Sequence, residues 1–247
     1  MGQIFRNRIL DKNMYFDSQL TEGVNSKYDT VQARQPNNDE SIAVLKESRL
    51  LARGGFQIER QLFSKESLWA MFDEACRLFA NSSEELRENS DIEEWRGGLP
   101  PRKLLTTGGG PVQDRLYRAH TLQVLLSQLI GVPVQASRDR AGYSYYCRPG
   151  DYLGLHRDVE TCDISVIVVL SDNTDSQQEG GELILYPKKI QDPLSVIRQN
   201  PKIDAVPIKL AAGETCILAG GMVPHLVRPV GKGQYRITAP MCFKVMA

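Results

Sequence analysis

The chain has 247 residues, with 30 Lys and Arg balanced by 30 Asp and Glu and 41% apolar residues. That balance leaves no basic footprint for general nucleic-acid or membrane-surface binding, and no apolar run approaches the roughly 20 residues of a membrane span. The length suits one large core, so a single domain over residues 1–247 is expected. Met1-Gly2-Gln3-Ile4-Phe5-Arg6 has no apolar signal core, and Arg6 stands where an acylation signal needs Ser or Thr. Five cysteines (Cys76, Cys147, Cys162, Cys216 and Cys242) show no CxxC pair, which predicts buried reduced thiols in a cytoplasmic protein.

Residues 1–40 are polar and weakly patterned, and are read as an arm or flap over the core. Residues 41–52 carry apolar residues at helical spacing, with Ser41 as N-cap and Gly54-Gly55 as the stop. Residues 56–63 alternate as a short strand. Ser64-Lys65-Glu66-Ser67 opens a second helix whose apolar stripe is Leu68, Met71, Phe72, Ala75, Leu78 and Phe79, suited to packing on a sheet. Residues 82–89 predict one or two further helical turns. Residues 95–118 are less regular, and Gly108-Gly109-Gly110 lacks the GK[ST] of a phosphate loop. This stretch is read as a lid loop, its Arg102, Arg115 and Arg118 either solvated or meeting an anionic substrate. His120 opens a helix over 120–130 that Gly131 stops, and its isolation from other ligand types predicts a structural or surface role.

From Pro133 the character changes. Short β-branched or aromatic runs at 142–148, 153–158, 164–170, 182–186, 206–210, 215–218, 226–230 and 235–244 are separated by Gly, Pro, Asp and Asn. Eight such runs after a helical first half predict a mainly β fold with α, a jelly-roll (cupin-like) core with N-terminal supporting helices. The expected organisation is arm at 1–40, helical support and lid loop at 41–135, and barrel core at 136–247. Residues 188–201 are read as a polar insertion with one short helix.

One of these runs ends in His156-Arg157-Asp158. In a strand His156 and Asp158 point one way and Arg157 the other. A histidine and a carboxylate side by side supply two-thirds of the 2-His-1-carboxylate site that suits non-haem Fe(II). The chain has three histidines, and His225, placed before a strand, is the candidate third ligand. Arg236 follows eleven residues later and shares a strand face with Thr238, a pair able to grip a carboxylate. Gly180-Gly181-Glu182 lies between the two ligand segments.

In the order Tyr146, Pro149-Gly150, His156-Arg157-Asp158, a hydrophobic strand, Gly180-Gly181-Glu182, His225 and Arg236, residues 140–245 resemble the Fe(II)/2-oxoglutarate-dependent dioxygenase superfamily, most of all its prolyl-hydroxylase-like branch. The resemblance implies a double-stranded β-helix, metal ligands His156, Asp158 and His225, and a 2-oxoglutarate site at Arg236 assisted by Thr238 and Tyr146. Tyr143 and Tyr145 compete for the last role, and Arg228 and Lys232 stand behind Arg236. The implied cofactors are Fe(II), 2-oxoglutarate and O2, with succinate and CO2 as by-products. Family halogenases replace the ligand carboxylate by Gly or Ala, so Asp158 disfavours halogenation. Hydroxylation is the expected outcome, with desaturation, epimerisation or ring closure open to the same oxidant.

The expected partner is a small-molecule substrate: a metabolite, amino-acid derivative or natural-product intermediate. Arg102, Arg115, Arg118, Arg138 and Arg140 suggest that it carries an anionic group. The alternatives are a protein side-chain (prolyl-type) hydroxylase, a cupin-like metal protein that does not use 2-oxoglutarate, and a non-catalytic binding protein on the same barrel. The Arg236/Thr238 pair argues against the second and the intact ligand set against the third.

Overall fold

The computed structural model describes residues 38–88, 95–137, 141–173 and 180–246, all within the compact unit Gln35–Ala247. The expected arm at 1–40 therefore lies outside the described residues as far as residue 37, as do Arg138 and Arg140.

The strands form two layers. The longer layer runs β1 (Phe56–Glu59), β10 (Thr215–Leu218), β7 (Ile164–Asp172), β12 (Arg236–Val245) and β5 (Gly142–Tyr146), with β4 (Val134–Ala136) beside the end of β12. The shorter layer runs β6 (Tyr152–His156), β11 (His225–Val227), β8 (Leu183–Leu185) and β9 (Val206–Ile208). From β5 onward successive strands alternate between the layers, except for the β8–β9 hairpin. All pairings among the described residues are antiparallel. This is the jelly roll, or double-stranded β-helix. The eight runs expected from the sequence each overlap one of β5–β12, because alternation and turn residues are local signals.

The first half differs from its reading at three places. The first helix, α1 (Asn38–Lys46), starts before Ser41, and α2 (Arg49–Ala52) follows with Ser48 as its cap. Ser41 is not a cap. It is fully buried, donating to Asp163 and accepting from Lys244 Nζ. Residues 83–87 form a strand, β2 (Ser83–Arg87), instead of helical turns. It pairs with β3 (Arg102–Gly108), and Glu85 receives Arg102 and Thr106, so pairing overrides the helix preference of Glu84 and Glu85. The expected irregular lid becomes β3 and α4 (Pro111–Arg118).

The second expected helix, α3 (Lys65–Leu78), is capped by Ser64 and buries Met71, Phe72 and Ala75. The same stripe buries Glu74, a carboxylate with three donors. Val112 N and Gln113 N reach it at 2.7 and 3.0 Å, so it caps α4, and the Tyr143 hydroxyl donates at 2.6 Å. The helix at His120, α5 (His120–Ile130), ends at Gly131 in the left-handed region, as read. The insertion holds a 3₁₀ turn (Pro187–Lys189) and α6 (Leu194–Gln199), whose Leu194 and Ile197 pack with Leu155, Ile184 and Tyr186.

The reduced-thiol expectation is corrected for two cysteines. Cys162, ahead of β7, and Cys242, on β12, form a disulfide with Cα atoms 4.9 Å apart. Adjacent antiparallel strands bring together thiols separated by 80 residues, which no sequence spacing could signal. No helix among the described residues is long and apolar enough to cross a membrane.

Candidate metal and cosubstrate site

β6 ends at His156 and β11 begins at His225, and the register makes the two histidines direct partners. Each ring is held the same way. His156 Nδ1 lies 2.8 Å from Gly154 O and His225 Nδ1 lies 2.9 Å from Val223 O. A carbonyl only accepts, so Nδ1 carries the proton and Nε2 keeps its lone pair. Both Nε2 atoms turn to Asp158, 3.5 and 3.6 Å from Oδ1, and the ring centroids are 4.2 Å apart. One ligand atom from each residue falls within 4.8 Å of the others, an arrangement that could hold a metal ion.

The second oxygen of Asp158 is already engaged. Ser165 Oγ donates to Oδ2 at 2.5 Å, and Asp158 N donates to Gly220 O at 2.8 Å. A side chain at 220 would place its Cβ 1.8 Å from Oδ2, so glycine is required there. Ser165 and Gly220 thus turn Oδ1 alone toward the histidines. Burial and the neighbouring charge of His156 push His225 down to about 4, so it is neutral at neutral pH. Burial would raise Asp158, but the imidazoles and the Ser165 hydroxyl outweigh it and hold the carboxyl below its usual range. The His156, Asp158 and His225 side chains are 12, 16 and 4% exposed, so the group opens to solvent on one side.

Arg236, at the start of β12, is 2% exposed. Its Nη1 donates to Gly181 O, while Nε has no hydrogen-bond partner and lies 3.9 Å from Asp172 Oδ2. The Gly-Gly-Glu segment delivers that carbonyl. Gly180 and Gly181 both have positive φ, and a Cβ on Gly180 would meet Gln234 Oε1 at 2.5 Å. The register aligns Arg236 with Tyr146 and Thr238 with Ser144. Tyr146 is buried on the Arg236 face; burial raises its hydroxyl to about 12, although Arg236 and Arg102 pull the other way, so it remains a donor. Tyr143 and Tyr145 point to the opposite face, bonded to Glu74 and Ala75 O of α3.

The structure therefore gathers His156, Asp158 and His225 at one point, and Arg236, Thr238 and Tyr146 on one face of the longer sheet. His120 is exposed at the start of α5 and does not join them. Two of the arginines read as substrate contacts are paired internally, Arg102 with Glu85 and Arg118 with Asp114. Ser165 and Gly220 were missed. Ser165 sits inside a hydrophobic run and Gly220 in an ordinary turn, and only tertiary structure brings them to Asp158. Arg96 was missed too. It donates to Asp158 O, Val159 O, Glu160 O and Asp163 Oδ1, holding the loop that follows Asp158.

No protein-family model matches the chain, and no curated protein matches it. Solved structures do. A Pseudomonas putida prolyl-4-hydroxylase is 18% identical, covers 83% of this chain and 98% of its own, and superposes with a TM-score of 0.52. The non-heme alpha-ketoglutarate-dependent epimerase SnoN from nogalamycin biosynthesis is 17% identical over 82% of this chain and 81% of its own, with a TM-score of 0.59. HygX from Streptomyces hygroscopicus, with nickel, 2-oxoglutarate and hygromycin B bound, is 12% identical over 83% and 86%, with a TM-score of 0.52. At such identities the likeness establishes a shared double-stranded β-helix.

Proposed function

We propose that this chain is an Fe(II)- and 2-oxoglutarate-dependent oxygenase that hydroxylates a small-molecule metabolite, amino-acid derivative or natural-product intermediate. One observation carries the reading: three converging ligand atoms share a barrel with a buried arginine whose Nε lacks a hydrogen-bond partner. Asp172 balances the charge from 3.9 Å but accepts no hydrogen bond from Nε, so the guanidinium can still take a forked partner, and the far carboxylate of 2-oxoglutarate has the right shape for one. A cupin that does not use this cosubstrate would leave Arg236 Nε without an acceptor.

In this reading His156 and His225 would hold iron through Nε2 and Asp158 through Oδ1. Two Nδ1–H···O=C bonds fix both rings, and Ser165 engages Asp158 Oδ2, so that one carboxylate oxygen would be left for the metal. Arg236 anchors the cosubstrate with Thr238 and Tyr146 as neutral donors, and burial makes these contacts strong by excluding water. When bound, iron and 2-oxoglutarate supply the oxidation: O2 is consumed, 2-oxoglutarate leaves as succinate and CO2, and the substrate gains an oxygen atom.

The likeness to small-molecule enzymes supports the substrate class, since SnoN belongs to nogalamycin biosynthesis and HygX binds hygromycin B. The likeness to a prolyl-4-hydroxylase favours a second reading, a protein side-chain hydroxylase. The test of the activity is an anaerobic titration with Fe(II) and 2-oxoglutarate, followed by the weak visible charge-transfer band of the chelate. The band should need both components and vanish in His225→Ala. Metal binding without a band would point to the cupin reading.

A further inference from the structure

Arg157 lies between two of the ligands in sequence but points away from them. It is 4% exposed, and its guanidinium reaches three separate segments. Nε donates to Met222 O at 2.9 Å and Nη1 to Trp95 O at 3.2 Å. Nη2 donates to Lys189 O, Ile190 O and Asp192 O at 3.2, 2.9 and 2.9 Å. The Trp95 ring lies 5.5 Å from the guanidinium carbon. Each of these acceptors is a backbone carbonyl. A planar fork of five donors can hold several carbonyls in fixed directions at once, which an ammonium cannot.

The bond to Met222 has a particular place. Met222 precedes Val223, whose carbonyl orients the His225 ring. The Arg157 side chain therefore joins His156-Arg157-Asp158 directly to the turn that aims the third ligand. Backbone pairing does little of this work, since β6 and β11 share only two register pairs with an irregularity between them. We propose that Arg157 is a positioning residue for the metal centre, locking both ligand segments, Trp95 and the 189–192 turn into one unit. This rests on the metal site proposed above. It adds that metal affinity is set by a side chain that cannot itself touch the metal.

Co(II), titrated into the full-length chain and followed by its visible d–d absorption, tests this. The unsubstituted chain should bind and His225→Ala should not; loss of binding by the unsubstituted chain would remove the metal reading, and this inference with it. Arg157→Lys keeps the charge but not the fork. It should bind Co(II) about 10- to 100-fold more weakly, the usual effect of losing an outer-shell partner, with a shifted band. Methylguanidinium should restore part of the affinity of Arg157→Ala. Should the variants fail to fold, the unsubstituted chain still decides: Co(II) should slow amide exchange over 95–97 and 187–192, because coupling is reciprocal. Unchanged affinity and band in folded Arg157→Lys, or exchange in those segments indifferent to Co(II), would overturn the proposal.

Discussion

The two sheets of the barrel hold their functional side chains by different means. In the longer sheet, β7 and β12 are nine and ten residues long and pair continuously from Arg236 to Phe243 with one register shift. A ladder of backbone bonds fixes Arg236, Thr238 and Ser165, and each needs little else. In the shorter sheet β8, β9 and β11 are three residues each, and both histidines stand at strand ends. Here side chains do what a ladder does elsewhere: Arg157 and Arg96 donate to carbonyls across segments that barely pair. Precision in one sheet is a property of length, and in the other of two arginines.

The largest expected effects fall on the shorter sheet's ligands. His156→Ala, Asp158→Ala or His225→Ala should abolish iron-dependent turnover in a coupled succinate assay; normal turnover in any of them would dissolve the triad. The apo chain should also lose stability in acid. His225 is depressed to about 4 from 6.5, so between those values the unfolded state binds a proton that the folded state does not. Stability should fall as pH drops from about 6.5 to about 4, by at most about 3 kcal/mol. Denaturant midpoints of the metal-free protein at pH 7 and 4.5 measure this, and His225→Asn should flatten the difference.

Smaller effects are expected from the ladder-held residues. Arg236→Ala should raise the 2-oxoglutarate requirement by roughly thirtyfold, about 2 kcal/mol for a charge-assisted pair, with metal affinity unchanged. If the requirement does not move, Arg228 or Lys232 holds the cosubstrate. Ser165→Ala should weaken metal binding by about tenfold without changing the thermal midpoint much, since the ladder around it stays intact. A large loss of stability instead would mean that the longer sheet also depends on side-chain ties.

The same contrast decides what could be read from the residues alone. The strands from Gly142 onward were legible because alternation and Gly, Pro and Asp punctuation are local, and His156-x-Asp158 was legible because an extended chain turns residues i and i+2 the same way, although β6 itself ends at His156. Arg236 beside Thr238 followed by the same rule. What stayed hidden depends on partners far along the chain. Glu74 looks like a flaw in an apolar stripe until α4 arrives to be capped. Ser83–Arg87 reads as helix until β3 lies beside it. Arg157 was correctly pointed away from the site, but its carbonyl partners lie at residues 95, 189–192 and 222. The Cys162–Cys242 bond depends on a register no spacing reveals.

β3 joins the two sheets. Leu105–Gly108 pairs with β5 of the longer sheet and Arg102–Lys103 with β6 of the shorter one. This strand leaves the ribosome before either strand it joins. Its exposed edge must wait, held by β2 on its other side, until about forty more residues have been made. A gene fragment beginning near residue 136 would encode all three proposed metal ligands, yet would leave β5 and β6 with open edges, the usual template for aggregation. The half that carries the proposed metal site is thus not a portable module, because its seam is sewn with thread from the other half.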